Sequence, residues 1–178
     1  PGTRPRLGSC LMTTDAQPSR TPTAIDAIAD RYVETIARLN PLAATAMGLS
    51  GYDHLMTDLS PAGHQAQADA ARAVLAELDA ATPEDDTDRV TLAAMRERIG
   101  LDLELHEADE LLGQLNNIAS PVQGLRDVFD LMPTATPEHW DAVVARLEAL
   151  PGAAAGVVES LRLAASRGRV AARRQVLE

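Results

Sequence analysis

Apolar residues recur three and four positions apart along most of this chain, which is the spacing of amphipathic helices. No segment keeps the apolar–polar alternation of a half-buried strand. The pattern therefore predicts an all-α fold, an irregular bundle of about six or seven helices. The segments with helical spacing are residues 23–39, 61–80, 84–112, 121–132, 137–150 and from about 153 toward the end.

Prolines mark the predicted helix starts. Of the 11 prolines, those that directly follow Thr, Asn or Ser are Pro22, Pro41, Pro61, Pro83, Pro121 and Pro137. Thr, Asn and Ser cap a helix, a proline in the first turn needs no hydrogen-bond partner, and each cap stabilises its helix by about 0.5–2 kcal/mol. The Thr82-Pro83 pair thus predicts a helix start, with that helix continuing to about Leu112.

The Thr136-Pro137 pair predicts another helix, with one apolar face. Its apolar residues are Trp140, Val143, Val144, Leu147 and Leu150. Because proline removes a backbone donor from a helix interior, Pro151-Gly152 is expected to end this helix. A last helix is then expected to begin near Ala153.

The segment Asn40–Pro61 interrupts the helical pattern. After a short helix from Asn40, Gly48 suits a left-handed helix end, and residues 50–53 read as a turn. The following residues, 52–59, have two interpretations. As an ordered connector they place Tyr52, Leu55, Met56 and Leu59 against the core. As a loop beside a binding cleft they present Tyr52, Asp53 and His54 as cleft-lining residues.

Composition narrows the classes of function. The formal net charge is −10 and every basic residue is arginine, so nucleic acid is not an expected partner. No apolar run is long enough for a membrane span, and a cytoplasmic location is expected. Residues 1–20 lack periodicity and are predicted to be a disordered tail, with 1–11 vector-derived or upstream sequence before Met12. Residues 21–178 are predicted to form one helical domain or part of a larger one.

No arrangement of residues predicts catalysis or metal binding within this chain. Histidine pairs at i, i+4 spacing are lacking, and Glu110 stands where a zinc-peptidase helix beginning at His106-Glu107 needs its second histidine. Asp102, His106 and Glu110 share a helix face, but the outer two lie about 12 Å apart, too far for one ion. The sequence holds neither a nucleophile elbow nor a phosphate-binding loop. Catalytic residues, metal ligands and cofactors are therefore not expected here.

The order of the features resembles the N-terminal part of the bacterial family called domain of unknown function 885. The matching features are the Asn40–Pro61 segment, the two long helices after it, the Ser120-Pro121 helix, the Thr136-Pro137-Glu138 start, residues 145–151 (ARLEALP), and Leu161-Arg162 with Gly168. The resemblance implies an all-helical, carboxypeptidase-like zinc metallopeptidase. Its zinc motif, His-Glu-x-x-Pro-Gly-His, lies in the C-terminal half of the family, and nothing in this chain matches it.

The resemblance further implies that residues 21–178 are the N-terminal, substrate-cleft-covering portion of a parent enzyme, truncated near Glu178. Zinc is then a cofactor of the full-length parent, and the expected partner is the missing C-terminal half or a second copy of this chain. The alternative is a free-standing helical module that binds or scaffolds other proteins without enzymatic activity. A reading frame that continues beyond Glu178 into the zinc motif distinguishes the two.

Overall fold

A computed structural model describes residues 20–177, and this part of the chain is all-α, as predicted. No helix within it is both long and apolar enough to cross a membrane. The predicted tail, residues 1–20, lies outside the described part except for Arg20. The helices are α1 (Ala24–Leu39), α2 (Pro41–Ala46), α3 (Pro61–Ala80), α4 (Asp86–Glu107), α5 (Pro121–Asp127), a 3₁₀ helix (Val128–Leu131), α6 (Pro137–Ser166) and α7 (Arg173–Leu177).

Side-chain caps confirm most of the predicted helix starts. Thr23 accepts a hydrogen bond from the Asp26 amide and the Asp26 carboxylate accepts one from the Thr23 amide, so α1 begins with a capping box. Asn40, Ser60 and Thr136 cap α2, α3 and α6, each followed by proline. Ser120 precedes α5 but bonds the Gln123 side chain instead of a backbone amide.

The prediction of the third long helix, from Pro83 to about Leu112, is wrong at both ends. Helix α4 begins at Asp86, because Asp85 is the cap and accepts the Asp88 amide. It ends at Glu107, short of the predicted Leu112. The chain leaves the helix through Asp109, whose φ of +58° is left-handed. The Glu110 amide then donates to the Leu105 carbonyl, which is the Schellman ending of a helix.

The prediction that Pro151 ends a helix is also wrong. Helix α6 runs unbroken for 30 residues with Pro151 inside it. Both Pro151 and Leu147 lie on the exposed side of the helix, so water can satisfy the Leu147 carbonyl that loses its donor. The predicted separate helix from Ala153 is the second half of α6. Gly168, at φ +79°, follows the end of that helix.

Two groups of buried apolar residues organise the bundle. In the first, α3 packs between α1 and α4; its buried members are Ile25, Ile28, Ala71, Val74, Leu78, Leu92 and Ile99. In the second, Leu125 of α5 meets Ala153 and Val157 of α6. Met56 and Leu59 of the Asn40–Pro61 segment pack against this second group. The connector interpretation of that segment is thus confirmed for these two residues.

One cluster of charges ties the start of α1 to the start of α4. Arg20 forms ion pairs with Asp26, Asp85 and Asp88, and Asp88 is completely buried. The Thr23 hydroxyl also donates to Asp88, over 2.8 Å. Hydrogen bonds from Arg20 hold the pKa of Asp26 and of Asp85 below the ordinary value of 3.8. The cluster therefore fixes one end of the bundle.

Replacing Arg20 with glutamine is expected to destabilise the protein in a pH-dependent way. Carboxylates with lowered pKa values stabilise the fold above pH 3.8, and this contribution disappears as pH falls through their folded pKa values. The difference in free energy of unfolding between the parent and R20Q should therefore be largest near neutral pH and shrink below pH 3.8. Urea unfolding of both proteins, near neutral pH and below pH 3.8, measures this difference in free energy. A difference that is constant with pH would contradict the assignment.

Candidate functional site

A cavity lies between α1 and α4, over α3. Because α1 and α4 are joined at the Arg20 cluster and both rest on α3, they enclose a groove farther along the bundle. The cavity in it has a volume of about 460 Å³, within the usual size range of small-molecule sites. Its wall is mostly apolar, and Ile36, Ala68, Ile99 and Leu103 contribute to it. A shallower apolar depression continues the groove toward Ala29 and Thr91.

Polar residues from all three helices also line this cavity. They are Tyr32 and Asn40 from α1 and its end, His64 and Gln67 from α3, and Arg98, Asp102 and His106 from α4. The last three lie at i, i+4 and i+8 and so form one stripe along α4. A few polar groups in an otherwise apolar wall are the usual composition of a binding pocket, since they orient a ligand that the apolar surface holds.

The tautomer of His106 follows from a chain of hydrogen bonds along the rim. The Gln65 amide nitrogen donates to Asp69 over 2.8 Å, so its carbonyl oxygen faces His106 Nε2 at 3.3 Å. That oxygen only accepts, and Nε2 must therefore carry the proton. In the neutral ring Nδ1 is then an acceptor, and it is buried without a hydrogen-bond partner in the described structure.

Burial sets the protonation of two further groups in the cavity. Removal from water, with a smaller effect of nearby His106, lowers the pKa of His64 below 6.5. Burial likewise raises the pKa of the Tyr32 phenol, and the nearby Asp102 carboxylate raises it further. At neutral pH the cavity therefore presents a neutral imidazole at His64, a neutral phenol at Tyr32, and the opposite charges of Arg98 and Asp102.

His64 should titrate below 6.5 in the folded protein. Because the unfolded chain takes up the proton first, stability is complete above pH 6.5 and is lost as pH falls through the folded pKa. Substitution with glutamine should remove this part of the acid sensitivity. The imidazole signal of His64 in an NMR titration gives the pKa directly. A midpoint at or above 6.5 would contradict the burial of this ring.

The residues predicted from the sequence to line a cleft lie outside the groove, in the Asn40–Pro61 segment. The Tyr52 hydroxyl donates to Glu34 over 2.6 Å, which raises the pKa of the phenol. Asp53 accepts a 2.7 Å hydrogen bond from the Thr45 hydroxyl. His54 is exposed and borders a shallow depression beside α6. Two of the three side chains thus have partners within this part of the chain.

Arg146 holds the segment in place and is completely buried. Its Nε donates to the Leu55 carbonyl over 2.9 Å, and one terminal nitrogen donates to the Tyr52 carbonyl and the Thr45 hydroxyl, both at 3.0 Å. Burial lowers its pKa, and the Asp53 carboxylate opposes that shift. Thr45 therefore links the buried cation to the carboxylate through its hydroxyl.

Sequence reasoning missed both Arg146 and the groove. For Arg146 a signal existed, because it is the one charged residue within the run AVVARL of α6, residues 142–147. For the groove the signal is weaker, since His64 and Tyr32 meet only through the packing of α3 on α1. Asp102 and His106 were correctly placed on one helix face, but the neighbouring helices that complete the cavity could not be read from spacing.

Comparison with known proteins gives one family match. The family described as a bacterial protein of unknown function, DUF885, matches residues 41–178. The match begins at the first residue of α2 and includes the Asn40–Pro61 segment almost entirely, together with α3 to α7. No curated protein matches the chain.

Proposed function

Because the chain belongs to the bacterial family DUF885, we propose that it is the N-terminal helical portion of a zinc-dependent, carboxypeptidase-like metallopeptidase. In this proposal its helices cover the substrate cleft, while the zinc ligands and the catalytic base come from a C-terminal half. The cofactor is zinc bound to that half. The observation that carries the proposal is the family match over residues 41–178, which spans the connector and most of the bundle.

The groove supports a role in covering a substrate. Its polar groups come from α1, α3 and α4, which are fixed to one another by the first core and by the Arg20 cluster. A site on rigid helices holds its polar groups in place without ordering a loop, so little conformational entropy is lost on binding. The Asn40–Pro61 segment is similarly fixed by Arg146. We propose that Tyr52, Asp53 and His54 form the outer lip of the cleft, with His54 the residue free to contact substrate.

An apolar stripe on α6 supports the presence of a docked partner. Trp140, Val144, Leu147 and Val158 follow one another at helical spacing, and their side chains remain 54%, 51%, 48% and 44% exposed. The core-facing side of α6 is a different one, and it carries Arg146 and Val157. Burying apolar area stabilises a protein by about 25 cal/mol per Å², and area left in water lacks this stabilisation. An exposed apolar stripe of this length is typical of an interaction surface. We assign it to the C-terminal half of the parent.

Sedimentation velocity tests this assignment. The chain is mixed with a separately produced C-terminal half that carries the zinc motif, and a complex of one copy of each is expected. Val144→Arg should abolish the complex, because it places a charge in the middle of the stripe. Val90→Arg, at an exposed apolar position of α4, is the matched control and should leave the complex intact.

Either of two outcomes would count against the proposal. If V144R binds the C-terminal half as the parent does, the stripe is not the docking surface. If the reading frame stops after Glu178 and no zinc motif follows, the chain is instead a free-standing helical module that binds other proteins.

A further inference from the structure

We propose that the groove between α1 and α4 binds a small zwitterion with an apolar side chain, of the chemical class of the apolar α-amino acids. The inference concerns a binding site in this chain and does not rest on the proposed peptidase activity. It follows from one positive and one negative side chain that lie next to each other at the rim of an apolar cavity.

Arg98 and Asp102 lie one turn apart on α4, and both line the cavity. Neither makes an ion pair or a side-chain hydrogen bond to any residue between 20 and 177. They do not pair with each other, and an arginine that precedes an acid by four residues is the less favourable order on a helix. Elsewhere in the fold, Arg126 likewise precedes an acid by four residues and does pair with it, to Asp130 at 2.7 Å. The rim therefore offers a free cation and a free anion side by side.

The geometry matches a ligand that carries a carboxylate and an ammonium group on the same carbon atom. Side chains one helical turn apart emerge about 5–6 Å from each other. A carboxylate can accept two parallel hydrogen bonds from the Arg98 guanidinium, and an ammonium group on the neighbouring carbon then lies toward Asp102. Tyr32 lines the same cavity as this pair and, with Arg98, the depression that continues it. Its hydroxyl has no partner within the described structure and can donate to the ligand carboxylate.

The body of the cavity selects an apolar side chain. Beyond the charged pair the wall is mostly apolar and includes Ile36, Ala68, Ile99 and Leu103, with a few uncharged polar groups between them. Placing a hydrocarbon side chain there removes apolar surface of both ligand and wall from water. His64 adds no charge, because burial lowers its pKa and keeps the ring neutral at neutral pH. A charged side chain would find no second pair of charges along this wall.

Other ligand classes fit the charges less well. A phosphate ligand carries two negative charges against one arginine and faces the repulsion of Asp102. A simple carboxylate or a simple amine satisfies one rim residue and leaves the other unpaired. A zwitterion satisfies both, which is why the pair of opposite charges, rather than the cavity alone, carries the assignment.

Binding of four probes to the 178-residue chain tests the proposal. L-phenylalanine has both charges and an apolar side chain, phenethylamine lacks the carboxylate, 3-phenylpropionate lacks the ammonium group, and glycine lacks the side chain. Titrations followed by NMR should show L-phenylalanine binding about threefold or more tightly than either single-charge analogue, since exposed ion pairs have modest strength. Glycine should bind most weakly. Shifts are expected at Ile99 and Leu103.

Two substitutions test the contributions of the two charges one at a time. Arg98→Gln should remove the preference of the site for L-phenylalanine over phenethylamine and leave its preference over 3-phenylpropionate. Asp102→Asn should have the opposite effect. Both residues are exposed, so the variants should fold as the parent does. Arg126→Gln and Asp130→Asn are the matched controls and should leave all four affinities unchanged.

Three results would overturn the proposal. Equal affinity for the three aromatic probes would mean that the groove is an apolar surface only. Saturable binding by none of them would mean that it is not a site for this class of ligand. Preferences that are the same in R98Q and D102N as in the parent would place the charge recognition elsewhere.

Discussion

Replacing Arg146 with methionine is expected to lower the free energy of unfolding by about 3 kcal/mol. Methionine fills much of the space but donates no hydrogen bond. It therefore leaves the Leu55 carbonyl and the Thr45 hydroxyl without the Arg146 donor, and the Tyr52 carbonyl with the Leu55 amide alone. An unpaired acceptor away from water costs about 1–3 kcal/mol. Relief from burying a cation offsets part of this loss, but two of the three acceptors belong to the backbone and remain in every variant.

Thermal unfolding followed by circular dichroism measures the effect. For a chain of this size, about 3 kcal/mol corresponds to a melting temperature lower by roughly 6–12 °C. Arg146→Lys should lose most of the same stability, because a single ammonium group cannot reproduce the fork of the guanidinium. Arg126→Met is the matched control: Arg126 is exposed, and its replacement should leave the melting temperature nearly unchanged. An R146M variant as stable as the parent would show that the segment is held by its apolar contacts alone.

Replacing Gly63 with alanine is expected to be destabilising by a similar amount, about 3 kcal/mol. Gly63 is buried in the first turn of α3, where its amide donates to the Ser60 hydroxyl over 3.3 Å. A Cβ at this position would overlap the carbonyl oxygen of Asp58 and lie 2.7 Å from its carbonyl carbon. These are backbone atoms of the segment that enters α3. The helix start or the segment must therefore shift.

Gly100→Ala in α4 is the matched control, and the opposite sign is expected. A Cβ at Gly100 would meet nothing within 4 Å, and the residue lies inside a regular helix. Alanine is favoured over glycine there by about 1 kcal/mol. Urea unfolding of the two variants should therefore move in opposite directions from the parent. If G63A were as stable as the parent, the close approach of Asp58 to α3 would be wrong.

The local part of the fold could be predicted from the sequence because its causes are local. Asn40, Ser60 and Thr136 cap their helices through side chains three residues from the amides they bond, so spacing alone finds them. At α1 the cap is Thr23, after Pro22, and not the Thr21 that precedes this proline. The start of α4 was misjudged because two capping signals compete there, and the carboxylate of Asp85 is the one that forms. Pro151 was misjudged because its exposed position, where water can reach the freed Leu147 carbonyl, lets α6 continue through it.

The candidate site could not be predicted in the same way. The groove requires that α3 bring His64 beside His106, 42 residues later in the chain. Arg146 bonds Leu55, 91 residues earlier. Such contacts depend on how helices cross, and a single amphipathic stripe does not specify a crossing. The apolar face predicted for α6 shows the difficulty, since its Leu150 packs against the second core whereas Trp140, Val144 and Leu147 remain exposed.

The central proposal is that these helices are one half of a zinc peptidase. The most direct measurement compares the 178-residue chain with the protein encoded by the same reading frame continued through a His-Glu-x-x-Pro-Gly-His motif. Release of amino acids from short peptides is followed for both proteins, with zinc and after its removal by a chelator. The account predicts zinc-dependent release by the longer protein and none by the chain alone. Hydrolysis by the chain alone, or a zinc-loaded longer protein that cleaves no peptide, would contradict it.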